Sequence, residues 1–195
     1  MRPFFLYCIA AGAYAQPISF GIKAGVPLTD AFDIARGGSS IYSAVDKRFT
    51  VGPTLEVRLP VRTSIVFEML YKRLGFDAAG SVATTGNLFE FPVLLKHRFK
   101  DGWVSPYLAT GASFNRLSGV TQLVSGVARG RPPELRREST AGIVFAGGLQ
   151  VKALLLKVSP EVRYTYRNSE LFREAVAGLL RSNKNQLEFL VGFTF

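Results

Sequence analysis

The side chains of this chain that could do acid–base chemistry recur with a fixed parity instead of gathering in a motif. Five carboxylates, Glu56, Glu68, Glu90, Glu161 and Glu188, fall out of step with the large apolar residues around them. So do nine cations: Lys23, Arg58, Lys72, Lys96, Arg98, Lys152, Lys157, Arg163 and Arg167. Two glutamates held together can act as acid and base. Glutamates interleaved with lysine and arginine instead neutralise them, which is what a buried set of charges requires. With cations in excess, the second arrangement is the expectation: a structural charge network with no catalytic residue. His97 is the one histidine, and no strand serine adjoins it on its own face, so a serine–histidine nucleophile is not expected. The one cysteine, Cys8, lies in a segment expected to be removed, which leaves no thiol for disulfides, thiol catalysis or a cysteine metal site. Neither a cofactor nor a metal is expected.

The elements that carry these charges are strands. Period-two alternation recurs in eight segments and helical periodicity is nearly absent. The apolar parity runs Ile18, Phe20, Ile22, Ala24, Val26, then Phe49, Val51, Pro53, Leu55, Val57, Leu59, then Ile65, Phe67, Met69, Tyr71. It continues through Phe89, Phe91, Val93, Leu95, through Val104, Pro106, Leu108, Ala112, Phe114, and through Ile143, Phe145, Leu149, Val151. The last two segments are Leu156, Val158, Pro160, Val162, Tyr164, Tyr166 and Leu187, Phe189, Val191, Phe193, Phe195. Successive side chains point to opposite faces of a strand, so each segment has one continuous apolar face. The opposite face collects small residues, among them Gly21, Gly52, Thr54, Ser64, Ala109, Ser113, Ala146, Ser159, Thr165 and Gly192, together with the charges.

Composition sets the outer bounds. The chain has 195 residues, 48% apolar and 19% charged, with a net charge of +10. That is too apolar for a disordered protein, and no uncharged apolar run reaches the roughly 18 residues of a spanning helix. Residues 1–15 read as a signal peptide, with Arg2 as the basic region, Pro3 to Ala11 as the apolar stretch and Ala13-Tyr14-Ala15 as the cleavage site. Residues 16–195 form one domain. Its connections alternate: tight at Pro60-Val61-Arg62, Lys100-Asp101-Gly102 and about Lys152 to Leu154, and long at about 29–46, 77–86, 118–139 and 168–182. An even number of alternating strands with short turns at one end and long loops at the other predicts an all-β fold, an eight-stranded antiparallel up-and-down transmembrane β-barrel.

Alternation does not say which face points out. A secreted lipocalin-like barrel would bury the apolar parity and bind a ligand there. Volume argues for the other orientation, because an eight-stranded barrel has an interior just wide enough for side chains, and about five bulky residues per strand overfill it. Small residues and crossed ion pairs fit, giving a closed, charge-filled lumen without an open pore. Lys47, Arg73 and Arg116 are the few charges on the apolar parity. All three sit beside the long loops, where basic side chains can reach an anionic lipid or lipopolysaccharide headgroup layer.

The loop from 126 to 139 concentrates Arg129, Arg131, Arg136 and Arg137, but the four long loops together hold eight carboxylates against seven arginines. No exposed basic stripe emerges, and nucleic acid is not an expected partner. Residues 169–182, SELFREAVAGLLRS, are the one stretch with helical spacing, and Ser169 would cap a short helix there.

With these residues in view, the chain resembles small outer-membrane β-barrels of the PorT-like type and, more generally, the OmpX/OmpA class. The resemblance rests on ISFGIKAGVPLTD (18–30), LFEFPVLLKHRF (88–99), PYLATGASF (106–114) and QLEFLVGFTF (186–195). It implies the outer membrane of a Gram-negative bacterium and a structural or surface-interaction role. Outer-membrane lipid and lipopolysaccharide are the implied surroundings. The insertion machinery would read the terminal aromatics Phe189, Phe193 and Phe195, and the family likeness also admits a surface or export partner. Some small barrels of this kind resemble lipid A-modifying enzymes. His97 would be the only candidate base for that chemistry, and it stands at the turn end, away from an outer leaflet.

Overall fold

The computed structural model describes residues 18–29, 32–34, 42–44, 49–78, 82–124, 127–129, 139–153, 156–168 and 180–195. The expected signal peptide, Lys47, Arg131, Arg136, Arg137 and residues 169–179, most of the stretch with helical spacing, lie outside these residues.

Among the described residues, thirteen strand segments run in chain order. They are β1 (Ile18–Pro27), β2 (Phe32–Ile34), β3 (Tyr42–Ala44), β4 (Thr50–Arg58), β5 (Thr63–Glu68), β6 (Leu70–Ala78) and β7 (Val82–Arg98). Then come β8 (Val104–Val124), β9 (Val127–Arg129), β10 (Ser139–Ala153), β11 (Leu156–Arg167), β12 (Leu180–Ser182) and β13 (Asn185–Thr194). β5 and β6 make one stave, interrupted only at Met69. With β1, β4, β7, β8, β10, β11 and β13 they form eight antiparallel staves, each hydrogen-bonded to its chain neighbour. The ring closes where β1 pairs with β13, from Gly21 opposite Thr194 to Pro27 opposite Glu188. Closure satisfies the edge strands, which otherwise expose rows of unpaired backbone groups.

The apolar parity faces outward. Phe20, Ile22, Phe67, Leu95, Leu108, Phe114, Ile143, Phe145 and Phe189 are all exposed on the outer wall. The charged and small parity faces the lumen, where Lys23, Glu56, Glu68, Lys72, Glu90, Lys96, Glu161, Arg163, Arg167 and Glu188 are buried. This is the inverse of a lipocalin. Apolar residues share the lumen too: Val66, Leu94, Ala109, Val144 and Ala146 form a buried cluster along one wall, contributed by β5, β7, β8 and β10.

Two expectations about the loop end are corrected. The described residues of 77–86 and 118–139 are strand: β6 continues to Ala78, β7 begins at Val82 and β8 runs to Val124 before β9 folds back on it. Cross-strand pairing extends beyond the alternating segments because Thr-rich sequence such as Val82 to Thr85 still suits a strand. Leu180 to Ser182, assigned to the end of a helix, pair antiparallel with Phe32 to Ile34. Helical spacing is a weak guide where a partner strand lies within reach.

Candidate functional site

Among the described residues, buried titratable side chains converge in the lumen, and their layers follow the stave register. At mid-height, Lys23 Nζ on β1 lies 2.6 Å from Glu68 Oε1 and 3.0 Å from Glu161 Oε2, bridging to β5 and β11. Arg163 completes the square, 2.7 Å from Glu68 Oε2 through one terminal nitrogen and 2.7 Å from Glu161 Oε1 through the other. The Tyr107 hydroxyl donates to Glu161 Oε2 at 2.9 Å.

Toward the loop end, Lys72 Nζ lies 2.5 Å from Glu90 and 2.7 Å from Glu188. Hydroxyls of Ser113 and Thr50 donate to the second oxygens of these carboxylates, each at 2.9 Å. Arg167 donates to the Gln186 side-chain oxygen at 2.8 Å. Toward the turn end, Lys96 pairs with Glu56 at 3.1 Å and lies over the Tyr107 ring, 4.3 Å from its centre.

A charge moved from water into a low-dielectric interior costs several kcal/mol unless it is paired and hydrogen-bonded. Here five buried cations, Lys23, Lys72, Lys96, Arg163 and Arg167, meet five buried carboxylates, Glu56, Glu68, Glu90, Glu161 and Glu188. The bonds cross the lumen between residues distant in sequence, so the network acts as a set of struts between staves. Around the Lys23–Glu161 level little space remains among the described residues. A cavity of about 20 Å³ lies among Lys23, Glu56, Lys96, Tyr107, Glu161 and Thr194, room for roughly one water molecule.

Four residues expected in this network, Arg58, Arg98, Lys152 and Lys157, lie apart from the buried set, Lys157 being half-buried. Arg58 and Arg98 are half-buried at the turn end; Arg58 donates to Ser19 Oγ at 2.9 Å, and Arg98 lies 3.8 Å from Asp101. Lys152 is exposed at the end of β10, opposite Lys157. Parity placed it inside, but it belongs to the final residues of its stave, where the wall no longer encloses a side chain. Tyr107 was not among the expected site residues. Its signal was available, since it shares parity with Ser105 and Ala109 while Pro106 and Leu108 point outward.

Arg73 and Arg116 are exposed toward the loop end of the outer wall. His97 is exposed at the turn end, its ring 5.5 Å from that of Phe99 in an edge-on contact, with Nδ1 3.4 Å from the Thr63 hydroxyl. Phe189 and Phe195 are exposed on the outer wall and Phe193 is half-buried there.

No family model matches the chain, and no curated protein matches it. Solved structures do. The outer membrane protein OprG from Pseudomonas aeruginosa superposes with a TM-score of 0.56 at 10% identity, covering 91% of this chain and 92% of that one. Neisserial surface protein A superposes with a TM-score of 0.50 at 15% identity, covering 92% of this chain and 98% of that one. At these identities the likeness is one of fold: a closed eight-stranded barrel of the kind found in outer-membrane proteins.

Proposed function

We propose that this chain is an outer-membrane β-barrel of a Gram-negative bacterium with a structural or surface-interaction role, in the manner of the PorT-like barrels it resembles. The observation that carries the reading is the division of faces. A continuous apolar wall suits a lipid environment, and a lumen filled by paired charges suits neither solute passage nor ligand storage. In this reading residues 1–15 are removed on export, and Phe189, Phe193 and Phe195 serve the insertion machinery. The short turns face the periplasm and the loop end faces the surface, where Arg73, Arg116 and Lys47 would meet anionic lipopolysaccharide. Enzymatic lipid modification is disfavoured by the position of His97 and by its weak 3.4 Å contact to a threonine hydroxyl.

The test is cell fractionation combined with gel mobility before and after boiling. The protein is expected in the detergent-extracted outer-membrane fraction, with a folded band that shifts on heating. Recovery from the soluble periplasm as a single, heat-invariant band would reject the assignment.

A further inference from the structure

The buried charges of the lumen balance, but the turn-end mouth does not. Beyond the Lys96–Glu56 pair, Arg58 at the end of β4, Arg98 at the end of β7 and Lys157 at the start of β11 converge from three staves. Arg58 and Lys157 donate to the same acceptor, Ser19 Oγ, at 2.9 and 3.2 Å. Two cations are thereby held within about 6 Å of one another with a neutral hydroxyl between them. Lys157 also lies within Coulombic reach of Lys96 and Arg98, with Glu56 opposing them. Glu56 is already engaged by Lys96. Asp101 lies at 3.8 Å from Arg98 and is itself shared with Arg62 at 2.8 Å.

Two of the donors toward this mouth that lack a partner among the described residues bear on the cation cluster. Arg98 Nε is buried and unbonded, and so is the hydroxyl of Thr194, a residue 6% exposed that sits opposite Lys157 in the register. A buried donor left without an acceptor is costly, and like charges gathered on one hydroxyl repel. One ligand would relieve both: an oxyanion with several acceptor oxygens and more than one negative charge.

We propose that the turn-end mouth of the barrel is a binding site for a phosphate-class dianion, with Arg58, Arg98 and Lys157 supplying the charge and Ser19 and Thr194 hydroxyl contacts. The chemistry is shared by free phosphate and by a phosphomonoester lipid headgroup. The site requires only the closed barrel and not a particular membrane.

The test uses the protein folded in nonionic maltoside micelles, in a phosphate-free buffer at neutral pH and constant ionic strength, titrated calorimetrically with inorganic phosphate. One-to-one binding is expected. The R58Q/K157Q double variant should weaken it about tenfold or more for each cation removed. K100Q/K152Q removes two exposed cations from the same rim and should bind as the wild type does. The urea midpoint, read from Trp103 fluorescence in chloride, establishes that R58Q/K157Q is folded, and relief of repulsion should leave it at or above the wild-type value. Absence of saturable phosphate binding by the wild type overturns the site. Equal weakening in both double variants also overturns it, because the effect would then be the general field of a basic rim. Competition by phosphatidic acid in mixed micelles would support the site with a lipid headgroup as its occupant; phosphate binding that phosphatidic acid leaves unchanged would support it with free phosphate.

Discussion

Arg163 is fully buried and in contact with both Glu68 and Glu161. Removing it leaves two buried carboxylates sharing the single charge of Lys23. Losing one partner of a buried pair costs about 3–5 kcal/mol because the orphaned charge stays desolvated. Arg163→Met should therefore lower the unfolding free energy in vesicles by about that amount. The readout is a urea titration followed through Trp103, the only tryptophan of the chain, exposed at the turn end. A loss below about 1 kcal/mol would mean that Lys23 and Tyr107 alone suffice to hold the two carboxylates. At this scale much of the site was legible, since every buried charge lies at the parity the alternation assigns. The partners were not, because Lys23 and Glu161 are separated by 138 residues and meet only across a closed ring.

The strand elements show how local chemistry yields to the sheet around it. The Pro60 to Thr63 turn holds Val61 and Arg62 at φ of 63° and 59°, the left-handed conformation of a type I′ hairpin that favours Asn-Gly. A β-branched residue pays there for its Cβ, and Val61 is 84% exposed, so it buries little in return. Val61→Asn should raise stability by about 1 kcal/mol, measured as an increased urea midpoint, with no change in the heat-shifted gel band; a lower midpoint would show that the valine methyls make contacts that matter more than backbone strain. The internal prolines are accommodated in a related way. The register places Pro53 opposite Met69 and Pro92 opposite Glu68, at the point where β5 gives way to β6. The missing N–H groups thus coincide with a gap in the ladder, where Pro53 still accepts a hydrogen bond from the Met69 N–H at 3.1 Å. The registers on either side of Met69 are continuous, and the register shift of this sheet falls elsewhere, between Thr85 and Asn87.

For the whole molecule, the consequence of filling the lumen is mechanical and electrical together. Struts from β1, β4, β6, β7, β11 and β13 cross the interior, and the wall lined by Val66, Leu94 and Val144 packs against them. Among Lys23, Glu56, Lys96, Tyr107 and Glu161 the lumen admits about one water, too little for a hydrated ion to pass. Reconstituted into planar bilayers, the protein should give no steady ohmic channel; regular, long-lived conductance steps would contradict the closed lumen.

Alternation along the chain by itself determined the strand-rich fold, the number of staves and which side chains share a face, because a two-residue period follows from backbone geometry alone. It did not determine how far the staves extend at the loop end, which three-residue strand replaces the end of an expected helix, or that Lys152 lies beyond the enclosed part of the lumen. Those depend on what stands opposite each residue. Only closure of the ring, bringing β1 against β13, decided which carboxylate meets which cation and left the surplus of positive charge at one mouth.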